Sequence, residues 1–260
     1  VNGEQSIRVI EVVRYPVKSL QGEVLAEAEI DADGMRGDRG WGLRDESTGK
    51  ILTGRRMPEL LFASAVLGPD GTPTVTLPTG VVCQGPGEQT DAALSQWLGR
   101  SVRLVSSKDA PPASAEYFED STDDSSRAIE WTMPAGRFVD AMPLLVLTTA
   151  SLRTAAALYP DGDWDVRRFR PNLLVDIDGD GWVEDAWCGH ATLRVGDAVL
   201  RPQQPCIRCT MPTRPQPSLV EDRDIFRTLA RNHRGCFGAW TAVAGPGTVR
   251  VGDEVGVEPV

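Results

Sequence analysis

Two cysteines bracket an isoleucine and an arginine in the stretch Pro205-Cys206-Ile207-Arg208-Cys209-Thr210. A thiolate can attack as a nucleophile, exchange electrons, or bind a soft metal. The adjacent Arg208 guanidinium is expected to favour the ionised sulfur by Coulomb attraction. A lone C-x-x-C also arises where two cysteines are merely near each other, so the pair needs company. Structural zinc would need two further ligands, and no second C-x-x-C or histidine pair supplies them. A thioredoxin-like dithiol would open a helix early in a βαβ unit. Here the pair falls late, with Pro212, Pro215 and Pro217 blocking a helix behind it.

The company is cationic. Lys18-Ser19 ends the first strand, where an ammonium and a hydroxyl can hold a phosphate or simply face water. Gly34-Met35-Arg36-Gly37-Asp38-Arg39-Gly40-Trp41 alternates glycine with charge. Glycine lets backbone amides approach a ligand, and Arg36 and Arg39 could fork onto phosphate oxygens or point to solvent. Arg55 and Arg56 occupy a further loop, and Arg167-Arg168-Phe169-Arg170-Pro171-Asn172 packs three arginines ahead of a strand. Such like charges repel unless an anion, an acidic cluster or water relieves them. Three arginine-bearing loops could therefore converge on one anion.

Other candidates read as structural. Asp176-x-Asp178-x-Asp180-Gly181 imitates a calcium loop, but its closing position is Trp187, so it reads as an acidic turn. His190 and His233 read as surface or packing histidines, and Cys83 and Cys188 as small core residues. Cys236 lies in a turn, with a structural role or a place near the site both open.

The elements that must position these groups are mostly β. Ile7 to Val17 reads as a strand ended by Pro16, and Glu23 to Ile30 as a second. Trp41 to Arg44 leads through a hairpin turn at Asp45 to Gly49 into Ile51-Leu52-Thr53. Leu60 to Leu67, Thr74 to Leu77 and Val102 to Val105 continue the pattern, with a short helix over Asp91 to Leu98. Ala110 to Ser126, rich in Pro, Ala, Ser and acid, reads as a long loop. Thr149 is expected to cap a helix over Ala150 to Leu158, and Asp222 to Arg231 reads as another. Leu173 to Ile177 is a buried strand, Ala191 to Leu200 a pair of strands across Gly196-Asp197, and Thr248 to Val257 a closing hairpin across Gly252-Asp253. The expectation is a mixed α/β, predominantly β chain divided into residues 1–105, a connecting region 106–137, and residues 138–260.

At 260 residues the chain can bury a sizeable core. Its formal net charge of -10 makes nucleic acid an unexpected partner. No apolar run reaches membrane-spanning length, and Val1 to Ser6 lack a signal peptide's apolar core, so a cytoplasmic, non-membrane location is expected. Five scattered cysteines do not resemble a disulfide framework, and two histidines argue against most zinc-hydrolase and Ser-His-Asp chemistry.

Taken together the motifs resemble the MOSC family, the molybdenum-cofactor sulfurase C-terminal domain proteins. The branch they are most similar to holds the mitochondrial amidoxime-reducing component and bacterial reductases of N-hydroxylated bases. Tyr15-Pro16-Val17-Lys18-Ser19, Gly37-Asp38-Arg39 and Thr53-x-Arg55-x-x-Pro58 match its N-terminal part. Asp140-Ala141-Met142-Pro143, Ala150-Ser151-Leu152, Arg168 to Asn172, Pro205 to Cys209, Phe237-Gly238 and Gly247 to Asp253 match the MOSC domain in order.

The resemblance implies an N-terminal MOSC β-barrel domain packed on a MOSC β-barrel core with a few helices. It implies a Mo-molybdopterin cofactor whose molybdenum is ligated by Cys209, which tunes the metal and does not attack. Lys18, Ser19, Arg39, Arg170, Asn172 and Arg208 fall on cofactor contacts, and Asp140, Ala141 and Met142 on a stretch lining the same pocket. The implied activity is two-electron reduction of an N–O bond in a small N-hydroxylated or N-oxygenated substrate, with the oxygen leaving as water. The remaining cysteines lack cluster spacing, so electrons are expected from a separate donor protein of flavoprotein or ferredoxin type. Relatives often continue past the second cysteine with Thr-Thr-Val-Asp-Pro, where this chain has Pro212-Thr213-Arg214-Pro215, and Ile207 stands at a frequent serine position. Two alternatives use the same residues: a sulfur carrier with a persulfide on Cys209, or a non-catalytic cofactor-binding module.

Overall fold

The computed structural model describes residues 6–109, 113–120, 123 and 125–260. In the first half the strands are β1 (Arg8–Arg14), β2 (Glu23–Leu25), β3 (Glu27–Asp31), β4 (Gly34–Met35), β5 (Trp41–Asp45), β6 (Ser64–Leu67), β7 (Pro73–Thr76), β8 (Val82–Gln84), β9 (Val102–Ser106), β10 (Ser114–Phe118) and β11 (Ala128–Thr132). The second half adds β12 (Leu144–Thr148), β13 (Leu173–Asp176), β14 (Ala191–Val195), β15 (Ala198–Ile207), β16 (Cys236–Gly245), β17 (Gly247–Arg250) and β18 (Val255–Pro259). The helices are α1 (Glu88–Leu98), α2 (Thr149–Leu158) and α3 (Arg223–His233).

An eight-stranded sheet runs β18-β14-β15-β16-β12-β13-β1-β2, and a three-stranded sheet β17-β3-β4 completes the enclosure of its core. Every described pairing in the large sheet is antiparallel except β12 with β13. The start of the chain is therefore built into the sheet formed by its end. Val9 and Val12 are both fully buried although three positions apart, which strict alternation forbids. A register irregularity between Val9 and Glu11 resolves this by adding one residue to β1 opposite β13.

Strand β12 is buried along its whole length because both of its faces are covered. Leu144 and Val146 join the core inside the curled sheet, whereas Leu147 packs outward with Ile225, Leu229, Phe169 and Phe237 beneath the helices. A separate first-half core gathers Val17, Leu20, Leu43, Leu60, Leu94 and Leu104. Gly34, at φ +116, lets the β3–β4 turn press on the stretch before β12, since an added Cβ would lie 2.7 Å from Pro143 Cβ.

The expectation of a predominantly β, mixed α/β chain holds, and several local readings are corrected. Ser114 to Phe118, inside the supposed long loop, pairs with β11 as an antiparallel hairpin. Residues 110–112, 121–122 and 124 of that stretch lie outside the described residues. Glu23 to Ile30 divides at Ala26 between two sheets. The last two strands do not pair with each other: β17 joins β3, and β18 joins β14. Leu60 begins within a 3-10 turn, Pro58–Phe62, before β6. The cap of α2 is Thr148, whose side chain accepts from the Ser151 amide, while Thr149 hydroxyl donates to Asp176.

Candidate functional site

The ten residues that the family resemblance places at the site line one cleft: Lys18, Ser19, Arg39, Asp140, Ala141, Met142, Arg170, Asn172, Arg208 and Cys209. Thr53, Arg55, Cys206, Met211 and Trp240 complete part of its wall. The residues come from loops on both halves of the chain, held by strands that are themselves fixed. Backbone geometry is unusual at three of them. Ser19 has φ 69, Arg39 φ 48 and Arg170 φ 57, the left-handed region that non-glycine residues seldom occupy. Such conformations persist only where surroundings enforce them, and they concentrate at functional sites.

The first cluster surrounds the Cys209 sulfur. Arg55 Nε donates to it at 2.9 Å, while Arg55 Nη2 donates to Asp140 Oδ2 at 2.7 Å. Lys18 Nζ donates to Asp140 Oδ1 at 2.5 Å and to the Phe138 carbonyl at 2.8 Å. The Tyr117 hydroxyl reaches the same Asp140 oxygen at 2.6 Å. Burial works to raise the Asp140 carboxyl, but Arg55 and Lys18 outweigh it and hold the group well below the usual carboxylate range. Burial pulls the Lys18 ammonium below its ordinary value, and Asp140 offsets that only in part. Lys18 is thus a buried ion-pair partner, not a solvated strand end.

The second cluster is organised by Tyr15, whose ring centroid lies 4.1 Å from the Arg170 guanidinium and 4.9 Å from that of Arg39. Arg39 pairs with the fully buried Asp38 and donates to Asn172 Oδ1 at 3.3 Å. Asn172 also ties this loop to β1 by donating to the Val13 carbonyl at 3.2 Å. Arg170 Nη1 donates to the Leu20 carbonyl at 2.7 Å, but its Nη2 is buried with no partner. Burial lowers this guanidinium to about 10 and pushes the Tyr15 hydroxyl up to about 12.

The expected attraction between Arg208 and a sulfur of the pair falls on Cys206. Along the end of β15 side chains alternate, so Cys206 and Arg208 point inward and Ile207 outward, 60% exposed. Arg208 Nη1 therefore donates to Cys206 Sγ at 3.1 Å, and Nη2 to the Phe169 carbonyl at 2.9 Å. Even there burial wins, pushing the Cys206 thiol up. The cation at Cys209 is Arg55, from a distant loop. Arg208 Nε, like Arg170 Nη2, is buried without a partner.

Not every arginine converges. Arg36 pairs with Glu29 at the surface, Arg56 lies over the Phe118 ring, and Arg167 pairs with Asp165. Arg168 is fully buried among carbonyls outside the cleft. His233 packs against Trp182, its ring centroid 4.3 Å from that of the indole, with Nε2 2.6 Å from Asp185. Tyr117 was missed in the sequence because its strand was read as loop. The signal was present in the paired five-residue runs Ser-Ala-Glu-Tyr-Phe and Ala-Ile-Glu-Trp-Thr. Among the described residues, no three His, Cys, Asp or Glu side chains gather as a metal site.

Two family models match this chain: the MOSC N-terminal beta barrel domain over residues 6–122 and the MOSC domain over residues 135–256. The chain belongs to the MOSC family. This MOSC chain is 28% identical to mitochondrial amidoxime-reducing component 1 of Mus musculus, the alignment covering 93% of the chain and 79% of that protein. It is 26% identical to the Homo sapiens protein of the same name, over 93% and 80% respectively. It is 25% identical to molybdenum cofactor sulfurase of Oryza sativa subsp. japonica, covering 88% of the chain but 31% of that longer protein. The crystal structure of the YUAD protein from Bacillus subtilis shares the fold, with TM-score 0.51 and 12% identity over 99% of this chain and 98% of that one.

Proposed function

We propose that this MOSC protein binds the molybdenum cofactor in the cleft, with Cys209 as the protein ligand to molybdenum, and reduces small N-hydroxylated or N-oxygenated compounds. The observation that carries the reading is a thiol facing a cleft in which two buried guanidiniums, Arg170 and Arg208, each keep a donor without a partner. A buried unpaired cation costs on the order of several kcal/mol, so these donors fit an anionic group that the protein side chains do not supply. Among the described residues no protein cluster could hold a metal alone, which fits one thiolate with the other ligands brought by the cofactor. The names of the amidoxime-reducing and sulfurase relatives point the same way.

In this reading Lys18, Ser19, Arg39, Arg170, Asn172 and Arg208 hold the cofactor's polar and anionic parts, and 140–142 line its edge. When bound, the cofactor supplies a metal centre able to exchange two electrons. Asp140, kept ionised, fixes Lys18, Arg55 and Tyr117 around the sulfur. The overall conversion consumes two electrons and two protons per N–O bond, giving N–H and water. The electrons come from a separate donor protein of flavoprotein or ferredoxin type. Among the described residues no helix is long and apolar enough to cross a membrane.

Metal and pterin analysis of protein purified from a cofactor-competent host tests this reading. Near-stoichiometric molybdenum is expected in the parent, and at least about tenfold less retained by Cys209→Ser. No molybdenum in the parent, even after cofactor addition, would remove the proposal. A gain of one sulfur on Cys209 after incubation with a cysteine desulfurase would favour a sulfur carrier instead.

A further inference from the structure

Arg55 sits at a junction to which the proposed function gives no role of its own. Its Nε reaches Cys209 Sγ, its Nη2 reaches Asp140 Oδ2, and its guanidinium lies 4.1 Å above the Tyr117 ring centroid. Tyr117 closes the circuit by donating to the other Asp140 oxygen. The guanidinium is thus gripped by a carboxylate and an aromatic face, with its Nε edge turned to the sulfur. The four participants come from well-separated stretches: the loop after Ile51, hairpin β10–β11, the segment before β12, and the turn after β15.

We propose that Arg55 is the positioning residue of Cys209, and that Tyr117 is the brace that keeps Arg55 in place. The proposal rests on the reading of Cys209 as the metal-facing thiolate, but its first consequence concerns the sulfur alone. A cysteine side chain turns about one bond, and a charged N–H donor on its sulfur restricts that turn while leaving other lone pairs for the cleft. Hydrogen bonds to a ligating sulfur stabilise its filled orbitals and tune the metal it holds. Arginine suits the place because its rigid fork reaches carboxylate and sulfur together, which a lysine point charge does not.

The test begins with cofactor-free protein. Label it with iodoacetamide at one neutral pH and follow Cys209 and Cys206 separately by peptide mass. Arg55→Met is expected to slow Cys209 labelling by about tenfold or more, because the donor that holds the sulfur in its cleft-facing rotamer is gone, with Cys206 within about twofold of parent. Arg55→Lys recovers part of the rate. Tyr117→Ala slows Cys209 about threefold when Arg55 is present and adds nothing when Arg55 is already methionine, because a brace acts only through what it holds. Tyr117→Phe, which keeps the ring, falls between parent and Tyr117→Ala. Cys209 labelled in Arg55→Met as fast as in the parent, or independent effects of the two sites, overturns the proposal.

In the molybdenum-loaded protein, Arg55→Met is expected to move the sulfur-to-metal charge-transfer absorption to longer wavelength and to lower kcat with KM little changed. The two readings fail separately. A parent without molybdenum ends the reductase reading while labelling still decides the role of Arg55. Molybdenum present with flat labelling ends the Arg55 proposal alone.

Discussion

Arg168 and Arg170 lie on one loop and are both buried, but the two regions they enter treat them oppositely. Under the helices, Arg168 gives Nε to the Asp163 carbonyl at 2.9 Å, Nη1 to those of Pro212 and Arg214 at 3.1 and 3.3 Å, and Nη2 to that of Val220 at 2.9 Å. In the cleft, Arg170 and Arg208 each keep an unpartnered donor. Two carboxylates, Glu184 buried and Asp140 partly exposed, show a second contrast. Glu184 is held near the helices by the hydroxyls of Thr148 and Ser151, with no cation bonded to it among the described residues, whereas Asp140 is gripped by Lys18 and Arg55. Arg168 is closed by carbonyls on every side-chain nitrogen, whereas Arg170 and Arg208 each keep one donor open. Burial alone does not separate Arg168 from Arg170; hydrogen-bond satisfaction does.

The largest expected effect breaks or confirms that contrast directly. Arg168→Met removes the donors from four carbonyls in a packed interior, and about 3 kcal/mol or more of stability should go with it. Arg170→Met removes a buried charge with one donor open, so it should cost less than half as much. Its main effect should fall on molybdenum retention, which Arg168 does not touch. Urea unfolding midpoints and metal analysis of both variants decide this, and equal destabilisation would sink the comparison.

The two carboxylates sharpen it through pH. Burial raises the Glu184 carboxyl above its ordinary value despite the opposing Ser151 and Thr148 hydroxyls. A raised acid is penalised when ionised, so it subtracts stability above its folded pKa and ceases to do so below its unfolded value of about 4.3. Glu184→Gln should therefore stabilise the protein at neutral pH, with the gain fading as acid is added. Asp140 has the opposite sign. Its folded pKa lies below the unfolded value, so it adds stability above about 3.9 that is lost as pH falls through the folded pKa. Asp140→Asn should destabilise at neutral pH, and the difference from the parent should shrink in strong acid. Melting temperatures across an acid series must diverge in these two directions.

What the sequence made legible follows the same division. The cleft's loops carried short motifs whose order matched a family, so Lys18, Arg39, Arg170 and Cys209 could be named before any fold was known. Their partners could not. Arg208 is beside Cys209 in the chain, but strand alternation turns it to Cys206, and the cation that reaches Cys209 lies 154 residues away. Tyr117 was hidden because a polar, proline-bearing stretch outweighed a short alternating pattern, and hairpin pairing settled the local structure. The closing strands misled for a related reason. Gly252-Asp253 is a good turn signal, but β17 and β18 each find a better partner already in place.

Tyr15 offers the finest test, because it is buried against two cleft arginines while its own hydroxyl is satisfied. Its hydroxyl is satisfied by the Pro171 carbonyl at 3.2 Å, and its ring serves two guanidiniums, of which Arg170 keeps an open donor. Tyr15→Phe keeps the ring and gives up one long hydrogen bond, so a loss of about 1 kcal/mol or less is expected with molybdenum retention unchanged. Tyr15→Leu removes both cation–π contacts and should lower retention as well, because Arg39 and Arg170 lose the surface that spaces them. If phenylalanine already lowers retention, the hydroxyl acts on the cofactor side of the cleft, and ring packing is not what aligns the two cations.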